Sequence, residues 1–202
     1  MDIHVRTLRD KQEYSDVNGV AEKLGISSAN WSLFGVIWDS GKVLAHKMYE
    51  YNTNGLKILE VGCGIGLASL VLNHQMMDIT ATDYHPEVDN FLKKNTELNN
   101  DREIPFVCTN WADDTNILGK FDLIIGSDVL YERNHVLILA NFIQNHSNDT
   151  CKVILVDPGR GHHAKFSKEM INLGFSHKQE KTKIASYLPE NYHGQILYYS
   201  RI

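Results

Sequence analysis

The 202-residue sequence lacks the features that would assign it to several specialised classes of protein. Its three cysteines, Cys63, Cys108 and Cys151, are widely spaced and form no Cys-x-x-Cys pair, which argues against a disulfide framework and a zinc site. No stretch approaches the ~18 apolar residues of a membrane span, and the N-terminus has no apolar signal core. The formal net charge of −5 provides no basic footprint for a nucleic-acid backbone. We therefore expect a cytoplasmic protein with no metal site, membrane attachment or nucleic-acid partner.

The composition is otherwise that of an ordinary globular protein, with 43% hydrophobic and 22% charged residues. The length fits one domain, and we find no internal repeat or linker. Residues 1–30 are polar and irregular, so we expect an N-terminal extension followed by one domain over residues 31–202, in a monomeric protein. Residues 20–27 resemble the turn of a helix-turn-helix motif, but no basic recognition helix follows. A solvated helix ending at Gly25 is the better interpretation.

One glycine-rich stretch organises the rest of the chain. Residues 58–61 form a short apolar run suited to a buried parallel strand, glycines follow at 62, 64 and 66, and a helix is predicted from Leu67. A strand, a glycine turn and a helix form a nucleotide-type site, because backbone N–H groups can then face a ligand. The next predicted strand ends in Asp83, where a βαβ unit places an acid to bind ribose hydroxyls.

The remaining apolar runs alternate between strand and helix patterns. Further strands are predicted at 106–108, 121–126 and 153–156, and further helices at 42–51, 86–98, 134–144 and 163–173. Asp39 or Ser40 is the expected cap of the first of these helices. Two late strands, 175–182 and 195–200, have no helix between them and should pair antiparallel. We predict a doubly wound, Rossmann-like α/β fold: a mostly parallel seven-stranded sheet with an antiparallel last strand and helices on both faces.

A glycine-rich loop alone does not identify the ligand, because nicotinamide and flavin proteins also use one. A dinucleotide fingerprint needs its third glycine three residues after the second, and Leu67 stands there. Glu60, before the first glycine, also has no role in that fingerprint, and the antiparallel ending does not suit a dinucleotide fold. A nicotinamide-dependent oxidoreductase is therefore the least favoured interpretation.

With these features, the chain resembles the seven-strand methyltransferases that depend on S-adenosylmethionine. In that family a Glu/Asp-x-Gly-x-Gly-x-Gly motif holds the methionine end of the cofactor, and here it corresponds to residues 60–66. The acid that ends the second strand binds the ribose, and here it is Asp83. The resemblance extends over about residues 30 to 200 and implies S-adenosylmethionine as cofactor and S-adenosylhomocysteine as product.

The resemblance is more specific for the branch that methylates lysine side chains of non-histone proteins. That branch has a Trp-Asp-small segment, a tryptophan after the third strand and an Asp-x-x-Tyr motif after the fourth, matched here by Trp38-Asp39-Ser40, Trp111 and Asp128-Val129-Leu130-Tyr131. The cofactor-binding residues that the resemblance implies are Trp38, Glu60, Gly62, Cys63, Gly64, Gly66, Asp83, Trp111 and Ser127. From position alone, Trp38 is equally well a core residue or a pocket wall. Trp111 either packs in the core or flanks the adenine.

Asp128 and Tyr131 are the predicted catalytic residues, because they follow a central strand at the end of the sheet where such folds place active sites. A lysine must lose its proton before it attacks a methyl group, so we expect this pair to orient the amine, and Asp128 to assist deprotonation or attract the cation. Asp128 could equally be a structural cap of the following helix. His162 and His163 are expected to be an exposed pair rather than metal ligands.

The acceptor of the methyl group does not follow from these motifs. A protein lysine is the first candidate, and a small molecule or a protein histidine is the second. A binding protein that kept the fold without activity is the third. Tyr187, Tyr192 and His193, in the loop before the last strand, are candidates for the substrate rim.

Overall fold

The computed structural model describes residues 1–10, 13–113 and 118–202, and these form seven strands and six α-helices. The strands are β1 (Lys57–Val61), β2 (Asp78–Asp83), β3 (Phe106–Cys108), β4 (Phe121–Ser127), β5 (Ser147–Asp157), β6 (Ser176–Lys181) and β7 (Gln195–Arg201). The helices are α1 (Val20–Lys23), α2 (Asp39–Glu50), α3 (Leu67–His74), α4 (Val88–Leu98), α5 (His135–His146) and α6 (His163–Asn172). Short 3₁₀ turns lie at Ser28–Asn30 and Leu33–Gly35. No helix in the described ranges is long and apolar enough to cross a membrane.

The seven strands form one sheet in the order β3-β2-β1-β4-β5-β7-β6. Neighbouring strands from β3 to β5 are parallel, whereas β7 is antiparallel to both β5 and β6. The predicted fold and its antiparallel last strand are therefore confirmed. The antiparallel strand is not itself the edge, because β7 lies between β5 and β6. The strand order reverses between β1 and β4, and doubly wound folds bind ligands at the carboxyl ends of the strands at such a point.

Alternate residues of the central strands are buried on opposite faces of the sheet, which explains their continuous apolar runs. Ile58 and Ile125 belong to the cluster that contains Leu44 and Met48 of α2. Leu59, its neighbour in β1, belongs to the cluster on the other face, which includes residues of α5 and α6. Helices thus cover both faces, as predicted, and the sheet rigidly positions the loops at its carboxyl ends.

The start of α2 differs from the prediction that Asp39 or Ser40 caps it. Trp38 occupies the N-cap position, Asp39 is the first helical residue, and no side chain caps the helix. The Asp39 carboxylate instead accepts a hydrogen bond from Lys42 Nζ at 2.8 Å, one turn along the same helix. A negative charge in the first turn still favours the helix through its dipole, so the acid supports the helix without capping it.

The first residues of the chain lie along α4 through an unusual set of hydrogen bonds. Asn99 donates to the His4 carbonyl and accepts from its N–H, both at 2.8 Å. Asn95, one turn earlier, makes the same two contacts with the backbone of Arg6. The Leu8 N–H then donates to the Gly35 carbonyl at 2.7 Å. Residues 4–8 of the segment predicted as an N-terminal extension are therefore attached to the domain.

Candidate active site

A cavity of about 1000 Å³ lies at the carboxyl ends of β1, β2 and β4. The structure brings together around it every residue that the sequence analysis assigned to cofactor binding or catalysis. These residues are Trp38, Glu60, Gly62, Cys63, Gly64, Gly66, Asp83, Trp111, Ser127, Asp128 and Tyr131. The parallel register explains part of this convergence: Val61 is level with Gly126, so the loops after β1 and β4 leave the sheet side by side.

The glycine turn forms one wall of the cavity, and its backbone requires glycine. Gly62 has φ +58°, and a Cβ there would lie 2.9 Å from Val129 Cγ1 and 3.3 Å from the Trp111 ring. Gly64 has φ +52°, and a Cβ there would lie 3.1 Å from the Phe34 carbonyl oxygen. These are positive φ values in a closely packed setting, which only glycine adopts without strain. The turn therefore packs closely against its neighbours and still lines the cavity with backbone free of side chains, which suits a bound cofactor.

The amides of this turn differ from the expectation that they face a ligand. The Cys63 N–H donates to the Thr82 carbonyl at 3.0 Å, and the Gly66 N–H donates to the Cys63 carbonyl at 2.8 Å. The Gly64 N–H donates to Asp83 Oδ2 at 2.8 Å. These three donors are used within the protein, because a tight turn beside a buried strand must satisfy its own polar groups. Their contribution is to hold the shape of the cavity.

Asp83 ends β2 and is held by two backbone amides. Its Oδ2 accepts from Gly64, and its Oδ1 accepts from the His85 N–H at 2.9 Å. Burial raises the pKa of the Asp83 carboxyl, whereas these amide hydrogen bonds act in the opposite direction. The carboxylate is thus preoriented at the cavity wall, and its remaining lone pairs can accept hydroxyl hydrogens.

Glu60 has a structural partner that the motif did not predict. Its Oε2 accepts hydrogen bonds from the N–H of Ser69, at 2.9 Å, and from the Ser69 hydroxyl. Ser69 lies in the first turn of α3, where backbone N–H groups lack helical partners. Burial raises the pKa of Glu60 to about 7, because the residue is only 3% exposed. Glu60 therefore joins β1 to the start of α3, beside the cavity.

The two tryptophans, for which the sequence left a core role and a pocket role open, differ in their surroundings. Trp38 and Trp111 are partly buried and both line the cavity. Trp38 Nε1 donates to the Leu33 carbonyl at 3.1 Å, which fixes its ring. Trp111 packs against the main hydrophobic core and meets the ring of His135 edge-on at 5.2 Å. Trp111 is thus a core residue on one side and a pocket wall on the other, and Trp38 is a pocket wall whose indole is held by the Leu33 carbonyl.

Asp128 is not the cap of the helix that follows, so that interpretation is wrong. Asn134 precedes α5, and no side chain caps it. Asp128 instead adopts φ +53°, its N–H donates to the Val156 carbonyl at 2.9 Å, and its carboxylate faces Arg160. Arg160 Nε donates to Oδ1 at 2.9 Å and Nη2 donates to Oδ2 at 2.6 Å, which makes a bidentate ion pair. This is the arrangement in which arginine binds a carboxylate most strongly.

Tyr131 lies at the opening of the cavity and is 47% exposed. Partial burial raises its pKa to about 12, with further contributions from the negative charges of Asp83, Glu132 and Asp128. The phenol is therefore protonated at neutral pH and can both donate and accept a hydrogen bond. Its ring meets that of His135 edge-on at 4.5 Å.

Three groups that line the cavity were not predicted from the sequence: Arg160, His135 and His85. Arg160 follows the carboxyl end of β5, and that position was a usable signal. His135 Nδ1 lies 3.1 Å from the Val129 carbonyl, but nothing in the sequence indicated this contact. Burial lowers the pKa of His85 to about 4, and its ring stacks on that of Phe34 at 4.1 Å. Residues 25–27 of the N-terminal region also line the cavity.

A family profile described as lysine methyltransferase matches residues 22–172, which is most of the chain. The chain belongs to the lysine methyltransferase family. The resemblance drawn from the glycine motif, Asp83 and the Asp-x-x-Tyr segment is thereby confirmed. The match starts at residue 22, within the region predicted to be an extension. It therefore includes residues 25–27, which line the cavity.

Similar proteins of known name include several lysine methyltransferases. Calmodulin-lysine N-methyltransferase of Arabidopsis thaliana is 26% identical over 172 residues, which are 79% of this chain and 54% of that protein. Protein N-lysine methyltransferase METTL21A of Danio rerio is 26% identical over 63% of each protein. Histidine protein methyltransferase 1 homolog of Dictyostelium discoideum is 31% identical over 57% of this chain and 40% of its own length. The chain thus spans about half the length of these curated relatives.

Several solved structures have the same fold as this protein. A methyltransferase from Pyrococcus furiosus superposes with a TM-score of 0.62 at 20% identity, covering 91% of this chain and 98% of that one. Magnesium protoporphyrin IX methyltransferase from Synechocystis PCC 6803, solved with bound SAM, gives a TM-score of 0.60 at 24% identity over 80% of this chain and 77% of that one. At these identities the likeness establishes the seven-stranded methyltransferase fold.

Proposed function

We propose that this protein is an S-adenosylmethionine-dependent methyltransferase that methylates a nitrogen atom, namely that of a lysine side chain in a protein. The observation that carries the proposal is one cavity lined by the glycine turn, by Asp83 and by the Asp128–Tyr131 segment. Family membership and the names of the lysine methyltransferases similar to the chain support the same activity. S-adenosylhomocysteine is the corresponding product.

The residues around the cavity fit this cofactor. Glycines at 62, 64 and 66 line the cavity with backbone and no side chains, and Asp83 presents a preoriented carboxylate beside them. Asp83 binds the ribose hydroxyls, and Trp111 flanks the adenine. The other groups proposed to contact the cofactor are Trp38, Glu60, Cys63 and Ser127. When bound, S-adenosylmethionine supplies an electrophilic methyl group on a sulfonium centre.

Asp128 and Tyr131 orient the acceptor amine at the opening of the same cavity. The Tyr131 phenol, protonated at neutral pH, can accept a hydrogen bond from the amine or donate one to a neighbouring group. Arg160 engages Asp128 through both oxygens, so the carboxylate already has a charged partner. We therefore assign Asp128 to positioning the acceptor, whose proton leaves to water.

A protein histidine is the second candidate acceptor. The observation that favours it is the 31% identity to the histidine protein methyltransferase 1 homolog. A small-molecule acceptor and a protein that binds the cofactor without catalysis are the remaining alternatives. We further propose a monomeric, cytoplasmic protein without a nucleic-acid or membrane partner, consistent with three free cysteines and the acidic net charge.

The experiment has two steps. Calorimetric titration with S-adenosylmethionine, S-adenosylhomocysteine and NAD should show binding of the first two and none of the third. Incubation with radiolabelled methyl donor and cell extract, followed by mass spectrometry of the labelled proteins, should then locate methyl groups on lysine. Binding of NAD alone would overturn the cofactor assignment. Labelled histidine, or label confined to small molecules, would overturn the lysine assignment and leave the cofactor assignment standing. Cofactor binding without any label would favour the non-catalytic alternative.

A further inference from the structure

Arg160 covers the carboxylate that the proposed function assigns to the acceptor amine. Its guanidinium binds both oxygens of Asp128, and the two side chains differ sharply in accessibility, with Arg160 44% exposed and Asp128 10% exposed. Hydrogen bonding to Asp128 raises the pKa of Arg160, so the guanidinium stays charged. The acceptor end of the cavity therefore presents an ion pair of zero net charge rather than a bare anion.

Backbone conformation on both sides of the pair keeps it in place. Asp128 adopts φ +53°, in the left-handed region that Asp tolerates better than most residues, and its N–H is bound to the Val156 carbonyl. Arg160 stands between Gly159 at φ +96° and Gly161 at φ +87°. These positive φ values let the chain turn after β5 and return the arginine side chain over the end of β4. The pairing is thus specified by the backbone of two neighbouring strand ends.

Other ionisable groups lie around this pair in the described part of the chain. Asp39 of α2 forms an ion pair with Lys42 at 2.8 Å. Glu132 lies 3.6 Å from Nε2 of His135, whose pKa burial lowers, and Asp157 of β5 lies 3.5 Å from His163 Nδ1. Two tyrosines also interact electrostatically with Asp128, namely Tyr131 and, in the loop before β7, Tyr192. Asp83 of β2 interacts with Tyr131 in the same way. Burial and nearby carboxylates raise the pKa of both tyrosines, so both are neutral. Arg160 is the cation bound directly to Asp128, and the negative charge of Asp157 also acts on this arginine.

The pairing of Asp128 with Arg160 addresses a conflict in the chemistry of a lysine acceptor. An isolated carboxylate attracts the ammonium form and raises the pKa of the amine, which is already about 10.4 for a free lysine. A methyl acceptor needs the neutral amine, because the ammonium has no lone pair. Asp128 alone would bind the unreactive form most tightly.

We propose that Arg160 is a positioning residue that neutralises Asp128, so that the acceptor end of the cavity takes the amine in its uncharged form. The inference rests on the proposed function. In the step concerned, the acceptor ammonium transfers one proton to water and becomes the neutral amine, with no change at Asp128 or Arg160. The neutral amine then donates hydrogen bonds to Asp128 lone pairs that Arg160 leaves free, and its own lone pair stays available for the methyl group.

Binding of n-butylamine, which mimics a lysine side chain, tests this without any methyl transfer. The protein is saturated with S-adenosylhomocysteine, and amine affinity is measured by NMR titration between pH 7.5 and 9. If the wild type takes the neutral amine, its apparent affinity should rise by about tenfold per pH unit, because the neutral fraction does so below the amine pKa. Arg160→Gln should bind the ammonium and lose most of this slope, with affinity at pH 7.5 at least about fivefold above wild type. Arg160→Lys keeps the charge and should keep the slope.

Equal slopes in the wild type and Arg160→Gln would overturn the inference and leave the proposed function intact. Absence of amine binding in every variant, with S-adenosylhomocysteine still bound, would overturn the acceptor site and with it the proposed function. Thermal unfolding of each variant establishes that it is folded. Once a peptide that accepts the methyl group has been identified, the kinetics of its methylation give a second readout. Arg160→Gln should lower both KM and kcat for this peptide at neutral pH, and it should move the acid limb of the pH profile of kcat to higher pH. A purely structural role would lower kcat equally at every pH.

Discussion

The Asp83 carboxylate accepts a hydrogen bond from the backbone N–H of Gly64 at 2.8 Å. This contact joins the end of β2 to the glycine turn after β1, so the two cofactor-binding features proposed here hold each other in position. The second carboxylate oxygen of Asp83 accepts a hydrogen bond from the His85 N–H. An acid whose carboxylate is oriented before a ligand arrives costs less entropy on binding.

Asp83→Asn should weaken the binding of S-adenosylhomocysteine by about 10- to 100-fold. A hydrogen bond to a charged acceptor contributes about 1.5–3 kcal/mol, and the amide both loses the charge and offers one acceptor oxygen instead of two. Calorimetric titration measures the change. Asp78→Asn, at the exposed start of the same strand, is the matched control and should leave the affinity unchanged. Equal affinities in the two variants would remove Asp83 from the cofactor site.

Asp128→Asn and Tyr131→Phe should reduce turnover more than cofactor affinity. Both side chains are proposed to contact the acceptor amine, so we expect kcat/KM to fall by about 10- to 1000-fold, a loss of about 1.4–4 kcal/mol of transition-state stabilisation. Affinity for S-adenosylmethionine should change by less than about threefold. Tyr49→Phe, an exposed tyrosine on α2, is the control for loss of a phenol hydroxyl. A collapse of cofactor affinity in folded protein would reassign these residues to cofactor positioning.

Glu60 should make the stability of the protein depend on pH. Burial raises its pKa from 4.5 in the unfolded chain to about 7 in the folded protein, so protonation favours the folded state. The stabilisation is complete below pH 4.5 and is lost as the pH rises through about 7, which amounts to about 3 kcal/mol.

The comparison with Glu60→Gln isolates this effect, because glutamine cannot ionise. The free energy of unfolding of the wild type, relative to this variant, should fall between pH 5 and pH 8 in urea titrations. Glu50→Gln, at the exposed end of α2, controls for the removal of a carboxylate. A constant difference between wild type and Glu60→Gln across this range would show that Glu60 keeps an ordinary pKa.

Gly62→Ala should destabilise the protein more than Gly55→Ala. Both glycines have positive φ, +58° and +73°, so alanine is strained by about 1 kcal/mol at either position. At Gly62 the added Cβ would also lie 2.9 Å from Val129 Cγ1, whereas at Gly55 nothing lies within 4 Å. Overpacking of this kind typically costs a further ~1–3 kcal/mol, so we expect Gly62→Ala to lose more stability by about that amount. Urea unfolding of both variants measures the difference, and equal losses would mean that the turn relaxes around the methyl group.

The order of strands and helices was predictable because each element carries its own hydrophobic period. The apolar run at residues 121–126 predicts a strand that is buried on both faces of the sheet. The same holds for β1, where the successive apolar residues Ile58 and Leu59 lie in the cores on opposite faces. The helix cap at Asp39 was wrong for a related reason. Capping depends on the direction in which the chain enters the helix, and local sequence does not determine that direction.

The sequence by itself determined the family, the fold and the candidate cofactor and acceptor residues, although not Arg160, His135 and His85, which line the same cavity. The glycine turn, Asp83 and the Asp-x-x-Tyr segment each follow a strand, and parallel strands bring their carboxyl ends together. Only the tertiary structure decided which partners these residues have. Glu60 binds Ser69, Asp83 binds Gly64, and Asp128 binds Arg160. The physical reason is that the hydrogen bonds of a carboxylate depend on which strand ends become neighbours and on backbone angles such as the positive φ of Asp128, and neither can be read from the spacing of residues along the chain.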